Sequence, residues 1–361
     1  MIEEKILKSE ELAVYKLRAL YAKYGYRPYK MSKFEEYDLY GRNKDFLVSD
    51  RVITFTDTDG RLLALKPDVT LSIIKNTKSG EKQKVCYNEN VYRVPGGRGQ
   101  FKEIMQAGLE CIGELDIIDV YEVVSLAGES LGLISGDFVL DVSHMGIVLG
   151  VVAEISGASW LKRRITELIA ERNLHELSRL IEDEKIDESV AKKLMKLAGL
   201  YGERRAVLSA LSEICTTPEE LSAYSELKTL DELLCSGGVG DNIRYDFSVV
   251  NNTSYYNGIV FRGFLSGICE SVLIGGSYDK LLSSMRFSGR GIGFALNLDL
   301  LSELDGEAEA YDADVLLLYG SDASASDIAN EKRRLISMGR SVFSATEIPA
   351  NLRYRELFEI K

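Results

Sequence analysis

Residues 85–113 read VCYNENVYRVPGGRGQFKEIMQAGLECIG, and this stretch decides the fold. Two runs rich in apolar and β-favouring residues flank a polar turn, Val94-Pro95-Gly96-Gly97-Arg98-Gly99. The turn's three glycines and one proline interrupt regular structure and reverse the chain. The first run, Val85 to Arg93, and the second, through Phe101, Ile104, Met105 and Leu109, predict a pair of strands. Arg93 leaves the first strand just before the turn, while Gln106 and Glu110 stand four apart on the second. An even spacing puts both side chains on one face of a strand. That face then offers a guanidinium, an amide and a carboxylate, which suits a small ligand with both a negative and a basic group. A solvated hairpin with surface charges accounts for the same pattern.

The stretch resembles motif 2 of the class II aminoacyl-tRNA synthetases, and among these it is most similar to histidyl-tRNA synthetase. There the strand–loop–strand opens with an aromatic-Arg pair, here Tyr92-Arg93. It closes in a Gln-x-Gly-x-Glu-like run, here Gln106-Ala107-Gly108-Leu109-Glu110. The resemblance implies an α+β fold, a synthetase-like antiparallel sheet flanked by helices. It also implies a residual anion-binding role for Arg93.

A chain of 361 residues can bury a large core and holds two or three structural units. A net charge of -12 argues against an open nucleic-acid surface, which needs clustered Lys and Arg. No apolar run approaches a membrane span, and MIEEKILKSEE at the N-terminus lacks the apolar core of a signal peptide. The five cysteines form no CxxC pair and read as free thiols in a reducing cytosol, so a cytoplasmic location is expected. With only His144 and His175, no zinc or other metal site is expected, and no cofactor.

From the start of the chain, residues 4–24 predict a helix stopped by Gly25, followed by short extended pieces to Tyr40. In the family this segment carries motif 1, used for dimerisation; the correspondence here is loose. Residues 51–65 predict a hairpin around Asp59-Gly60. It delivers Lys66-Pro67-Asp68-Val69-Thr70, opening a helix that Asp68 or Thr70 can cap. This segment resembles the family's Arg-Pro-Glu-Gly-Thr, whose acid and threonine hold the amino group of the bound amino acid. Lys66, Asp68 and Val69 replace Arg, Glu and Gly. Beyond the central hairpin, Ile117–Leu131 predicts an amphipathic helix closed by Gly132, and Phe138–His144 a buried strand. His144 reads as a core or turn histidine rather than a catalyst. Residues 146–236 then predict a run of helices with no strand between them: 160–172, 174–183, 188–197, 204–214 and 219–234. Thr217-Pro218-Glu219-Glu220 marks one start, with proline in first position. The family too has a helical insertion between motifs 2 and 3.

The sheet resumes at Ile243–Ser248 and again across Asn251–Phe261, where adjacent Tyr255 and Tyr256 would point to opposite faces of a strand. This run resembles the histidyl-tRNA synthetase signature Arg-Gly-Leu-Asp-Tyr-Tyr, with Asn251 in place of its arginine and Ser254 in place of its aspartate. Ile274-Gly275-Gly276-Ser277-Tyr278-Asp279-Lys280-Leu281 resembles the second signature, Gly-Gly-Arg-Tyr-Asp-x-Leu. Its glycines, Gly275 and Gly276, permit close backbone approach to a ligand. Residues 291–301 resemble motif 3, but Leu300 stands in place of the arginine that holds the ATP phosphate in the family. Past an acidic linker, strand 313–319, helix 325–337 and strand 340–344 resemble the opening of the family's anticodon-binding domain. The chain ends at Lys361, too soon for a full domain of that kind, so tRNA recognition is not expected.

The amino-acid half of a synthetase site is therefore kept in Asp68, Thr70, Gln106, Glu110, Tyr255, Tyr256, Gly275 and Gly276. The chemical half is lost at Asn251 and Leu300. A site that binds histidine without activating it resembles the regulatory subunits of ATP phosphoribosyltransferase, which are histidyl-tRNA synthetase paralogues. The resemblance covers residues 1–304, interrupted by the helical insertion 146–236, and leaves 305–361 as a truncated anticodon-domain-like segment. It implies no catalytic residue, a short-form catalytic subunit as partner, a homodimer through the synthetase-like core, and L-histidine as effector. Two other readings stay open. One is a divergent synthetase that adenylates histidine with a substitute cation from Arg262, Arg286 or Arg290. The other is a synthetase-like RNA-binding or regulatory module.

Overall fold

The computed structural model describes residues 7–47, 51–78, 81–94, 100–250, 255–304 and 311–360. The chain forms two compact units, Met1–Leu304 and Asp305–Lys361.

In the first unit, helix α1 (Ser9–Lys23) buries Ala13, Leu17, Leu20 and Tyr21, spaced by three and four to make one apolar stripe. Gly25, at φ +81°, supplies the left-handed residue just past its end. Strands β1 (Arg27–Pro28) and β2 (Phe34–Glu36), the short helix α2 (Tyr37–Gly41), and strands β3 (Thr54–Thr56) and β4 (Leu62–Leu65) follow. β2, β4 and β3 make a small antiparallel sheet, in that order. Its Asp-Gly turn is held by Asp57, whose Oδ1 accepts from the backbone N–H of Asp59 and Arg61. Helix α3 (Thr70–Asn76) leads into β5 (Gln83–Arg93) and β6 (Lys102–Gly113). These two pair antiparallel without a break, from Gln83 opposite Ile112 to Arg93 opposite Lys102. The turn at residues 95–99 lies outside the described residues.

Helix α4 (Ile117–Ile134), strand β7 (Phe138–His144) and helices α5 (Met145–Ala153), α6 (Ser159–Ala170), α7 (Leu174–Asp183) and α8 (Glu188–Ala198) come next. Strand β8 (Tyr201–Gly202) precedes α9 (Arg204–Ile214) and α10 (Pro218–Ser236). Strands β9 (Ile243–Asp246), β10 (Ile259–Leu265) and β11 (Leu273–Ser277), helix α11 (Asp279–Ser284) and strand β12 (Arg290–Asn297) complete the unit's main elements. The large sheet runs β1-β5-β6-β12-β11-β10-β7-β9-β8. Its central six strands are antiparallel as expected, but β1 joins β5 and β9 joins β7 in parallel, so the sheet is mixed.

Strand alternation divides the sheet into two faces. On β6, Ala107, Leu109 and Cys111 enter the main core with residues of α1 and α4, while Ile104, Gln106, Glu110 and Ile112 fall on the other face. There a second core forms from α3, α11 and residues such as Tyr87, Tyr255 and Tyr278.

Two expectations from the sequence are overturned and one unassigned stretch is filled. Gly132 does not close α4, which continues to Ile134 and is capped by Ser135. A Cβ at Gly132 would make only ordinary van der Waals contact with the Phe138 ring, so no close approach requires the glycine there. Residues 145–153, unassigned from sequence, form α5, and Gly150 lets it approach Glu220 of α10. The helices are also interrupted by β8, whose Tyr201 pairs with Asp246 of β9; two residues are too few to show a period. The start of α10 is as predicted: Thr217 caps the Glu220 N–H, and Glu220 returns its carboxylate to the Thr217 and Thr216 N–H groups.

In the second unit, strands β13 (Ala313–Tyr319), β14 (Val342–Ala345) and β15 (Tyr354–Ile360) form a parallel sheet ordered β14-β13-β15. Helix α12 (Ala325–Ser337) packs Leu335 and Ile328 against Val315 and Leu317. Strand β15 is an addition to the expected two; three charged residues among its seven mask the β-favouring Tyr354, Leu357, Phe358 and Ile360. Among the described residues no helix is long and apolar enough to cross a membrane.

Helix α10 is tied to the sheet by Glu226, whose carboxylate meets His144 Nε2 at 3.1 Å and Arg290 Nη2 at 3.0 Å. His144 thus acts as a junction residue; its Nδ1 also caps α5 by accepting from the Gly146 N–H. The His144 hydrogen bond, with the Arg290 contact, holds the Glu226 carboxyl down at about 2. An unfolded glutamate titrates near 4.3. The stabilisation is therefore complete above about 4.3 and is lost as pH falls towards 2. Glu226→Gln is expected to be less stable than wild type at pH 6 in urea unfolding. The gap should narrow as pH falls below about 4.5.

Candidate ligand-binding site

The second face of the sheet encloses a cavity of about 590 Å³, within the roughly 300–1,000 Å³ usual for small-molecule sites. Asp68 and Thr70 reach it from the start of α3, Arg93 from the end of β5, and Gln106 and Glu110 from β6. Tyr255 and Tyr256 reach it from the segment before β10. Seven of the residues singled out in the sequence are thereby brought together.

Glu110 is the buried centre of this arrangement. Thr70 Oγ1 donates to its Oε1 at 2.7 Å, and the Tyr278 hydroxyl donates to its Oε2 at 2.6 Å. Burial raises its carboxyl to about 8; the nearby Asp68 adds to the rise, and the two hydroxyl donors oppose it. Opposite it on β12 lies Gly293, where a Cβ would fall 1.9 Å from Glu110 Oε2. Only glycine leaves the carboxyl its place. A carboxyl poised near neutrality can meet an imidazole of similar affinity for protons, the two sharing one proton as a pair.

Asp68 has two roles. Its Oδ1 accepts from the Leu71 N–H at 2.9 Å, capping α3, and it also stands in the cavity wall. Burial raises its carboxyl, against the backbone N–H of Leu71 and the charge of Arg93. Thr70 does not cap; its hydroxyl is committed to Glu110. The tyrosines depart from expectation. Tyr255 and Tyr256 precede β10, which begins at Ile259, so strand alternation does not separate them. Their rings lie 4.7 Å apart, tilted by 56°, and both face the cavity.

Gly275 and Gly276 do not line the cavity. A Cβ on Gly275 would sit 2.4 Å from the Phe261 ring, and one on Gly276 2.7 Å from the Ile259 carbonyl and 2.8 Å from the Tyr256 ring. The room at each is taken by neighbouring protein. Leu300 lies on the 3-10 segment Leu298–Leu304, half-buried against the main core and away from the cavity. Asn251 and Ser254 lie outside the described residues. Among the described residues, no three His, Cys, Asp or Glu side chains converge to hold a metal.

Sequence reasoning missed Tyr278 as a ligand-site residue, although it stood inside the quoted glycine motif. It also missed Tyr87, which shares strand parity with Arg93 six residues on and lines the same cavity. Lys66, replacing the family's arginine, is fully buried and paired with Glu89 at 2.7 Å on β5, anchoring the segment that carries Asp68.

The histidyl-tRNA synthetase family model matches residues 3–301. A solved structure from Bacillus halodurans C, described as an ATP phosphoribosyltransferase regulatory subunit/histidyl-tRNA synthetase, superposes with a TM-score of 0.80 at 23% identity, covering 97% of this chain and 93% of that one. The chain belongs to the histidyl-tRNA synthetase family of class II folds. Its relatives narrow this further. The ATP phosphoribosyltransferase regulatory subunit of Desulfitobacterium hafniense (strain Y51) is 31% identical over 299 residues, 81% of this chain and 76% of the relative. That of Clostridium acetobutylicum is 25% identical over 337 residues, 90% and 82% of the two chains. Within the family, the chain is one of the ATP phosphoribosyltransferase regulatory subunits. A solved ATP phosphoribosyl transferase (HisG:HisZ) complex from Thermotoga maritima shares the fold, with a TM-score of 0.64 at 21% identity over 80% of this chain and 97% of that one.

Two predictions follow from the geometry. Glu110 titrates near 8 in the folded chain but near 4.3 when unfolded, so the folded state holds the extra proton between those values. Its contribution therefore falls as pH rises from about 4.5 to 8. The melting temperature of Glu110→Gln should gain on wild type across that range; an offset independent of pH would mean that Glu110 is ionised throughout. Gly275→Ala should lower unfolding free energy by about 1–3 kcal/mol, the cost of overpacking, in urea denaturation without ligand. An unchanged stability would return Gly275 to the ligand side of the sheet.

Proposed function

We propose that this regulatory subunit senses L-histidine in the cavity and assembles with a short-form ATP phosphoribosyltransferase catalytic subunit, whose activity depends on it. The observation that carries this reading is the pairing of two acids in one small cavity: buried Glu110, near neutrality, and Asp68 at the head of α3. Glu110 suits an imidazole and Asp68 an ammonium, with the Gln106 amide between polar ends of the ligand. The subunit carries no chemistry of its own. Leu300 brings no cation to the cavity from the place of the family's motif 3 arginine, so one source of charge stabilisation for phosphate transfer is missing. It dimerises through its synthetase-like core. The family assignment and the two-acid cavity support this reading together.

Histidine can suppress the complex only by binding its inactive form more tightly than its active form. The test is turnover of the catalytic subunit with and without this chain across a histidine titration. Turnover should rise with the chain and fall again with histidine. Glu110→Ala should raise the inhibitory histidine concentration at least about tenfold, the loss of one charge-assisted contact, while leaving activation in place. Histidine-dependent ATP–pyrophosphate exchange should be absent. A chain that leaves turnover unchanged at every histidine concentration ends this reading; pyrophosphate exchange in its place would make it an adenylating enzyme.

A further inference from the structure

The cavity has a second polar wall, and strand register locates it. Across the sheet, one row runs from Gly108 on β6 to Ala295 on β12, Ile274 on β11, Arg262 on β10 and Asp141 on β7. Gln106 and Glu110 flank Gly108 on the same face. Strands lie about 4.8 Å apart, so Arg262 starts about 14 Å from the Gly108 position. Gly108 and Ala295 have the smallest side chains, so the floor is low on the Glu110 side, while Ile274 stands between Ala295 and Arg262 and lines the cavity with it. Arg262 lines the same cavity as Glu110, Asp68 and Arg93. Arg93 and Arg262 both draw down the phenol of Tyr256 against the effect of burial, so both charges act on it from the cavity wall.

Behind Arg262 stand Asp141, its cross-strand neighbour, and Asp246. Both favour its charged form while burial opposes it. Asp246 is also engaged by Arg172 at 2.6 Å. A guanidinium keeps its charge under such burial and offers planar, paired donors that fit a carboxylate or phosphate edge.

We propose that Arg262 forms an anion subsite at the far wall of this cavity, with the α-carboxylate of a bound amino acid as its ligand group. The subsite rests on the histidine reading for the identity of that amino acid. The imidazole then lies against Glu110, the ammonium against Asp68, and the carboxylate against Arg262. A phosphate on a separate ligand presents the same chemistry, and the two sources are separable by experiment.

The measurement is titration calorimetry on the full chain with L-histidine, with histamine, which lacks the carboxylate, and with inorganic pyrophosphate. Wild type should bind histidine more tightly than histamine. Arg262→Gln should weaken histidine at least about tenfold and leave histamine unchanged, and Arg262→Lys should recover part of the loss. If the histidine-to-histamine ratio stays fixed but Arg262→Gln abolishes pyrophosphate binding, the anion subsite stands and its ligand is a phosphate. Equal weakening of histidine and histamine, or no change with any of the three, overturns the proposal. Wild type that binds neither histidine nor histamine ends the histidine reading, and the pyrophosphate titration then decides the subsite alone.

Discussion

A carboxyl with almost no exposed surface constrains everything around it. Glu110 remains in the second core because Thr70 and Tyr278 each give it a hydroxyl, and because Gly293 gives it space. These three residues come from α3, from the junction of β11 and α11, and from β12, so the site exists only when distant elements dock. An unsatisfied acid at this depth would cost several kcal/mol. The low floor of the cavity follows the same logic: at Gly108 a Cβ would lie 2.5 Å from the Tyr87 hydroxyl, so a larger residue would displace the ring that lines the next wall.

This dependence explains what was legible in the sequence. The β5–β6 pair could be read directly, because its alternation and its glycine-rich turn are local signals. Gln106 and Glu110 share a face for the same reason, and strand parity needs no tertiary information. Tyr255 and Tyr256 could not be placed that way. Their common orientation depends on β10 starting only at Ile259 and on Gly276 making room for the Tyr256 ring, a contact between segments twenty residues apart. The roles of Gly275 and Gly276 failed for a related reason. A glycine permits close approach, but the sequence does not say what approaches, and here it is Phe261 and the neighbouring strand. Strand β8 was invisible because two residues carry no period, and β15 because its charges dilute its apolar residues.

On the proposed function, the cavity is a binding pocket that outlasts a reaction. In the proposed role the contacts around Glu110 act on a ligand's ground state, whereas catalysis requires groups that bind more strongly as charge develops. On that reading, the loss of a phosphate-binding cation at position 300 leaves the first set intact, since Leu300 packs into a different core from the one that holds Glu110. The two cores lie on opposite faces of one sheet, so loss on one side need not disturb the other. That separation is a property of strand alternation on β6 and β12.

Sensing requires more than a pocket, because occupancy has to alter a surface that another protein meets. The contacts connecting the cavity to the helical block are short and continuous. Tyr278, which holds Glu110, adjoins Asp279; Asp279 accepts from the Gly291 N–H at 2.9 Å and faces Arg290 and Asn257 at 3.5 and 3.3 Å. Arg290 in turn meets Glu226 of α10. Asn257 follows Tyr256 directly, so both halves of the pocket end on the same carboxylate. Part-exposed ion pairs of this kind contribute little each, roughly 0–1 kcal/mol, and rearrange at correspondingly low cost. A coupling between sites needs only about 1–3 kcal/mol, an amount that a chain of such contacts can carry and that a rigid apolar core, with one dense packing, gives up far less readily.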